Sequence, residues 1–400
     1  MTQPAFRLAT RAQTLKASEI RELLKLVGKP SMISFAGGIP DPALFNLAAF
    51  QAACHEAFGG PQVAREALQY STTEGYAPLR QWLASHMQSQ GVPATADNIL
   101  ITTGSQQALD LIGKLLIDPG SAVVTARPTY LGAVQAFSAY QARFAALDTP
   151  HPLGDDAPRL LYLVPDFANP TGLTMSRNAR QQALEQARAL NAIIVEDAAY
   201  SALRYDGEAL PAIAALDAAN GSIEATRTLY CGTFSKTLSP GLRIGWVCGP
   251  TALIRKLAML KQSADLHTST VNQMVMHHVA TSSYDAQVTA IRSVYRTRRD
   301  AMLAALERYA PTAVRWKKPD GGMFIWLELP EHIDASALLS QAIREDIAFV
   351  PGGAFFPDGT GRNTLRLSFS LADEAQIELG IFKLCQLLGR QAMARAVNVH

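Results

Sequence analysis

The chain has 400 residues, 48% of them hydrophobic and 18% charged, with a formal net charge of +2 at pH 7. That composition excludes intrinsic disorder, and the length allows a sizeable core in roughly two domains, with room for three. A charge this close to zero, with no basic run interleaved with aromatics, gives no basis for binding nucleic acid or an acidic membrane surface.

The first residues, Met1 to Lys16, carry Arg7 and Arg11 but no continuous apolar stretch, so no signal peptide is expected. No run approaches the roughly 20 apolar residues of a transmembrane helix. A helical segment around Ser18 to Val27 comes next and is expected to pack with the carboxyl-terminal part of the chain. The four cysteines (Cys54, Cys231, Cys248 and Cys385) show neither C-x-x-C pairs nor a framework spacing. They read as reduced core thiols of a soluble, cytoplasmic protein.

From about residue 98 short apolar runs alternate with helical patterns. The runs are Asn98–Thr102, Ala122–Thr125, Arg159–Val164, Asn191–Val195, Thr228–Cys231 and Ile244–Cys248. Between them, Gln106–Leu116 and Arg177–Leu190 place apolar residues three and four apart. This alternation predicts an α/β domain with a mostly parallel sheet, its strands apolar on both faces because helices cover both. Beyond it, Asp265–Tyr309 reads as one long helix bridging to a smaller α+β domain with strands at Gly322–Leu329 and Thr364–Phe369. The expected division is an arm over residues 1–40, a large domain over 41–285 and a small one over 286–400.

The polar motifs sit where such sheets collect function, after the carboxyl ends of strands. Gly104, Ser105 and Gln106 stand between a strand and a helix, where free N–H groups and the helix dipole suit a phosphate. They read either as that cradle or as a plain helix cap. A nucleotide P-loop is excluded, because Ala108 to Lys114 lacks the first glycine and Leu115 is neither Ser nor Thr. Tyr130 is either core or a ring that stacks on a ligand. Asn169, in Asn-Pro-Thr-Gly, is either a turn residue or an amide donor. Asp197 ends a buried strand and is either a helix N-cap or a partner for a protonated ring nitrogen, with Tyr200 three residues on.

Lys236 stands among Thr233, Ser235 and, seven residues later, Arg243. A walled-in lysine can lose its proton and condense with an aldehyde as a Schiff base. Hydroxyls and a guanidinium beside it suit a phosphate monoester. Pyridoxal phosphate (PLP) carries both groups. Arg366, inside an apolar strand, is the fork-shaped cation that suits a substrate α-carboxylate. His277-His278 has no carboxylate or cysteine spacing around it, so no metal site is expected.

Taken in this order, the motifs resemble the class I and II aminotransferases, PLP enzymes of fold type I. The likeness covers nearly the whole chain. It implies a mostly parallel seven-stranded central sheet with helices on both faces, plus the smaller α+β domain. Lys236 would be the Schiff-base lysine and Asp197 the partner of the ring nitrogen, with Tyr200 and Asn169 at the phenolic oxygen. Gly104, Ser105, Gln106, Thr233, Ser235 and Arg243 would hold the phosphate, Tyr130 would stack on the ring, and Arg366 with Asn169 would hold the substrate. The segments Ala17–Leu26 and Ile33–Pro40 look like the 2-aminoadipate and kynurenine transaminase subgroup, which would bring Ser18, Arg21 and Gly38 to the substrate. Tyr70 matches the tyrosine that reaches the phosphate of the partner subunit, so a homodimer is implied.

The expected activity is transfer of the α-amino group of an L-amino acid (2-aminoadipate, glutamate, or an aromatic or branched-chain residue) to a 2-oxo acid such as 2-oxoglutarate, by a ping-pong route. The rival within enzymes is a PLP lyase or decarboxylase on the same fold. The rival outside them is a PLP-binding module without turnover. A regulator carrying this fold would need a DNA-binding module ahead of it, and the subgroup's first helix, reached by Ser18, leaves no room for one.

Overall fold

The six apolar runs of the central chain all become strands of one sheet. The computed structural model describes residues 6–14, 31–219 and 221–397, so Ser18 and Arg21 lie outside the described residues. The sheet has seven strands: β2 (Ile99–Thr102), β3 (Ala122–Thr125), β4 (Arg143–Ala146), β5 (Leu160–Leu163), β6 (Ile193–Asp197), β7 (Thr228–Thr233) and β8 (Gly245–Cys248). Their spatial order is β2-β8-β7-β6-β5-β3-β4, and only β8 runs antiparallel to its neighbours. The seventh strand, β4, is missing from the sequence reading. It lies at the sheet edge with its first residue exposed, so Arg-Phe-Ala-Ala needs no buried apolar run.

β2, β5, β7 and β8 are buried along their whole length, as strands covered on both faces must be. Alternation sorts their side chains between two cores. Ile99 and Ile101 pack with Leu79, Leu83 and Met274 on one face, and Leu100 packs with Leu109 and Ile112 on the other. Cys248 joins the first core and Cys231 the second, so these two free thiols face opposite sides of the sheet. Cys385 is also buried and free. Cys54 corrects the expectation of four core thiols. It is free but exposed, because it lies on the outward face of the helix Leu47–Ala57, whose buried positions are Ala53 and Ala57.

The predicted long helix is Thr270–Tyr309, 40 residues and so about 60 Å at 1.5 Å per residue. Its amino-terminal half packs under the large sheet through Met274, Val275 and Met276. Its other half enters a second core through Ile291, Tyr295, Met302 and Leu306. That core is closed by a four-stranded antiparallel sheet of β9 (Arg315–Trp316), β10 (Phe324–Glu328), β12 (Val350–Pro351) and β13 (Thr364–Ser368), and by the helix Glu374–Val397. Residues 33–35 join this second body: β1 (Ile33–Ser34) pairs in parallel with β11 (Ile347–Ala348), and the Ser368 N–H donates to the Phe35 carbonyl at 2.8 Å. No helix among the described residues is long and apolar enough to cross a membrane.

Candidate active site

The topology decides which residues meet. β2, β3, β5, β6 and β7 point the same way, so the loops leaving them share one edge, and β8, running the other way, is entered from that edge. Gly104 after β2, Tyr130 after β3, Asn169 after β5, Asp197 at the end of β6, Lys236 after β7 and Arg243 before β8 therefore converge from distant sequence positions. β13 brings Arg366 from the second sheet, and the segment after β1 brings Gly38.

The Lys236 Nζ donates to the Gly38 carbonyl at 2.8 Å and stands 5.8 Å from the centre of the Tyr200 ring. Desolvation, then the Arg366 and Arg243 cations, pull its pKa down to about 8, against the opposite pull of Asp197. At pH 7 about a tenth of this amine is therefore unprotonated, against well under a thousandth of an ordinary lysine. Asp197 is buried. The Tyr162 hydroxyl donates to its Oδ2 at 2.7 Å and the Ala199 N–H to its Oδ1 at 3.3 Å. Burial pushes this carboxyl up; the two hydrogen bonds and Lys236 only partly resist. A buried carboxylate with no cation in contact is short of a positive partner, and a protonated ring nitrogen supplies one.

Asn169, Tyr200 and Arg366 form a buried chain. The Asn169 amide donates to the Tyr200 hydroxyl at 3.4 Å, and its Oδ1 accepts from Arg366 Nη1 at 2.7 Å. Arg366 Nη2 donates to the Ala36 carbonyl at 2.7 Å, while its Nε is buried without a hydrogen-bond partner among the described residues. The guanidinium lies between two rings, 4.2 Å from the centre of Phe324 and 5.2 Å from that of Phe355. Burial lowers its pKa to about 10, which leaves it a cation at neutral pH. Burial raises the phenols of Tyr130, to about 12, and of Tyr200, so both are neutral donors there.

The residues expected to hold a phosphate form a second group. The helix Ser105–Leu116 has no side-chain cap at its start, where Gly104 adopts φ +77°. A Cβ on Gly104 would stand 2.4 Å from Arg243 Nη2, so the guanidinium lies directly against this turn. The Thr233 hydroxyl is 2.9 Å from the Ser235 hydroxyl and accepts the Ser235 N–H at 3.1 Å. Lys236, Arg243 and Arg366 together face one buried carboxylate, Asp197. That excess of positive charge fits a ligand bringing a phosphate and a carboxylate.

Two expected residues behave differently from the rest. The Gln106 side chain is exposed and donates one amide N–H to the Gly132 carbonyl at 2.9 Å, which ties it to the start of the next helix. Tyr70 is 78% exposed and meets His267 edge-on at 5.8 Å, and none of the polar contacts above involves it. Tyr162, Phe324 and Phe355 are absent from the sequence reading. The signal for Tyr162 is a hydroxyl in a fully buried strand, which must find a polar partner. Phe324 touches three parts of the site. Its ring would lie 2.6 Å from a Cβ on Gly38, packs edge-on to Tyr200 at 5.6 Å and carries the Arg366 cation.

A family model described as "Aminotransferase class I and II" matches residues 61–384. The chain is 42% identical to an aromatic-amino-acid aminotransferase of Thermococcus litoralis, over 94% of this chain and 93% of that one. It is 41% identical to a 2-aminoadipate transaminase of Thermus thermophilus, over 94% and 95%. Among solved structures it is similar to an alpha-aminoadipate aminotransferase of Thermus thermophilus, complexed with N-(5'-phosphopyridoxyl)-L-leucine. The TM-score is 0.87 at 39% identity, covering 96% of this chain and 98% of the other.

Proposed function

From the premise that this chain belongs to the class I and II aminotransferases, and is a PLP-dependent enzyme of amino acid transamination, we propose how its residues divide the work. The observation that carries the reading is the meeting of Lys236, its pKa near 8, with the cation-poor carboxylate of Asp197 and the Asn169–Arg366 pair at one strand edge. Bound there, PLP supplies an aldehyde for the amine and a protonated ring that accepts the electron pair left when the substrate's Cα loses its proton.

Ser105 and Gln106 hold the phosphate through backbone N–H groups at the helix start, on the turn made by Gly104, whose own N–H donates to the Thr102 carbonyl at 2.8 Å; Thr233, Ser235 and Arg243 add hydroxyls and a cation. Asp197 keeps the proton on the ring nitrogen, and Tyr162 keeps Asp197 in place. Tyr130 stacks on the ring, and Tyr200 and Asn169 serve its phenolic oxygen. Lys236 takes the proton from the substrate's Cα and, as the ammonium, gives one back. Arg366 grips the α-carboxylate, with Asn169 fixing the fork and Phe324 and Phe355 excluding water from it. Gly38 lines the substrate side beside Lys236, with Ser18 and Arg21 assigned there by resemblance.

The same resemblance supports a homodimer in which Tyr70, exposed in the single chain, serves the neighbouring site. It also supports division into a large domain over 41–285, a small one over 286–400 and an arm over 1–40. Free cysteines throughout accord with the cytoplasm. The amino donors read from the relatives are acidic and aromatic L-amino acids, exchanged with a 2-oxo acid such as 2-oxoglutarate in a ping-pong cycle. The test is the half-reaction. The PLP-loaded enzyme is mixed with 2-aminoadipate, glutamate or phenylalanine, without an oxo acid, and pyridoxamine phosphate is measured. A stoichiometric yield with one or more donors is expected. Loss of CO2 or elimination without pyridoxamine phosphate would overturn the assignment in favour of a decarboxylase or lyase.

A further inference from the structure

Behind the phosphate cradle lies a second set of polar groups that the transamination chemistry does not use. Lys261, in the last turn of the helix Thr251–Gln262, is fully buried. Its Nζ donates to both oxygens of Asp265, at 2.8 Å each, and to the Gln107 Oε1 at 2.9 Å. The same Gln107 Oε1 accepts the Thr103 backbone N–H at 2.8 Å, and the Gln107 amide donates to Asp265 Oδ2 at 2.6 Å. The Thr103 hydroxyl donates to that oxygen at 3.0 Å and lies 3.1 Å from the Thr268 hydroxyl. Gln273, buried in the long helix, donates to the Thr268 carbonyl at 2.7 Å and accepts the Tyr76 N–H at 2.8 Å.

The placement of these bonds is what matters. Thr103 and Gln107 bracket the turn at Gly104, whose N–H donates to the Thr102 carbonyl at 2.8 Å, and the first two residues of the helix, Ser105 and Gln106; Lys261 with Asp265 ties both brackets to one point. Burying a lysine costs several kcal/mol unless it is fully paired, and an apolar side chain would fill the same space at no such cost. The cradle also has reason to relax without an anion. The Arg243 guanidinium lies against the turn at Gly104, so its charge meets the positive end of the helix when no anion stands between them.

We propose that Lys261, acting through Asp265, Gln107 and Thr103, is a positioning residue for the phosphate cradle. It keeps the Ser105 and Gln106 N–H groups, and the Gly104 turn that aims them, in their anion-binding arrangement before the cofactor arrives. The proposal rests on the reading of that turn as the phosphate site, and its consequence is selective. Ligands that bring a phosphate gain from the strut, and ligands that lack one do not.

The experiment compares PLP with pyridoxal, which keeps the aldehyde and ring and lacks the phosphate. Dissociation constants of both are measured on the wild-type full-length chain stripped of cofactor and on Lys261→Met, Thr103→Val and Arg243→Leu, with melting temperatures alongside. Lys261→Met is expected to weaken PLP by about 10- to 100-fold, by analogy with the loss when the groups that orient metal-binding side chains are removed. Thr103→Val should weaken it several-fold, and pyridoxal should stay within about twofold in both. Inorganic phosphate should compete with PLP less well in both variants. Equal weakening of PLP and pyridoxal, or no change in either, overturns the proposal. If Lys261→Met does not fold, the PLP-to-pyridoxal ratio in Thr103→Val decides alone. Arg243→Leu separates the layers. If it too leaves that ratio at the wild-type value, the cradle reading itself falls; if it collapses the ratio and Lys261→Met does not, only the strut falls.

Discussion

Replacing Arg366 by lysine keeps the positive charge and removes the fork. The guanidinium gives Nη1 to Asn169 and Nη2 to Ala36, both at 2.7 Å, and holds a buried Nε without a partner among the described residues. An ammonium on a shorter reach cannot serve Asn169, Ala36 and a substrate carboxylate together. A hydrogen bond to a charged group contributes about 1.5–3 kcal/mol. Losing one bond to the carboxylate and loosening the one that sets Asn169 comes to about 3–4 kcal/mol, and each 1.4 kcal/mol is about tenfold. The predicted fall in kcat/KM for amino acid donors is thus about two to three orders of magnitude. The assay is steady-state transamination with an L-amino acid, run beside a primary amine of matching side chain that has no carboxylate. The amine should change by less than about threefold, and PLP affinity should hold. A fall of similar size with the carboxylate-free amine, or loss of PLP instead of substrate, would refute the reasoning.

Gly104→Ala puts a Cβ 2.4 Å from the Arg243 guanidinium, at a φ of +77° and ψ of 163° that is nearly reserved for glycine and costs about 1–3 kcal/mol in other residues. It should lower the melting temperature and weaken PLP by at least about tenfold, read by fluorescence titration; wild-type affinity would show that the turn is not a cradle. Lys236 titrates near 8 in the folded chain and near 10.5 unfolded, so between those values the unfolded chain binds more protons. The cofactor-free protein should therefore gain stability as pH rises from about 8 to 10.5, relative to Lys236→Met, in urea melts. A difference that falls with pH contradicts the depressed pKa. Mixing Tyr70→Ala with Lys236→Ala subunits should restore activity at up to about a quarter of the sites, because a two-fold hybrid then holds one intact site; no recovery places Tyr70 in its own chain's site.

The parts legible in the sequence are those where backbone and chemistry coincide. A buried parallel strand must be apolar, and the first polar residues after it stand at the ligand edge. That is why Gly104, Asn169, Asp197 and Lys236 were visible before any packing was known. Parts carried by tertiary contact alone were not. Phe324 and Phe355 look like any core aromatic until Arg366 is placed between them, and Tyr162 reads as one more apolar strand residue until its hydroxyl meets Asp197. Lys261 sits in an amphipathic helix where a lysine ordinarily reads as solvent-facing, and only the fold turns it inward. β4 escaped notice because an edge strand is free of the demand for apolar residues, and Cys54 was misplaced because a cysteine's type says little about which face of a helix it takes.

The proposed function stands or falls with Lys236 as the amine that holds the cofactor. The direct measurement is to load the protein with PLP, reduce it with borohydride, digest it and locate the phosphopyridoxyl group by mass spectrometry. A single label on the peptide containing Lys236 is the predicted result. A label on Lys261 or any other lysine, or no label at all, would contradict it.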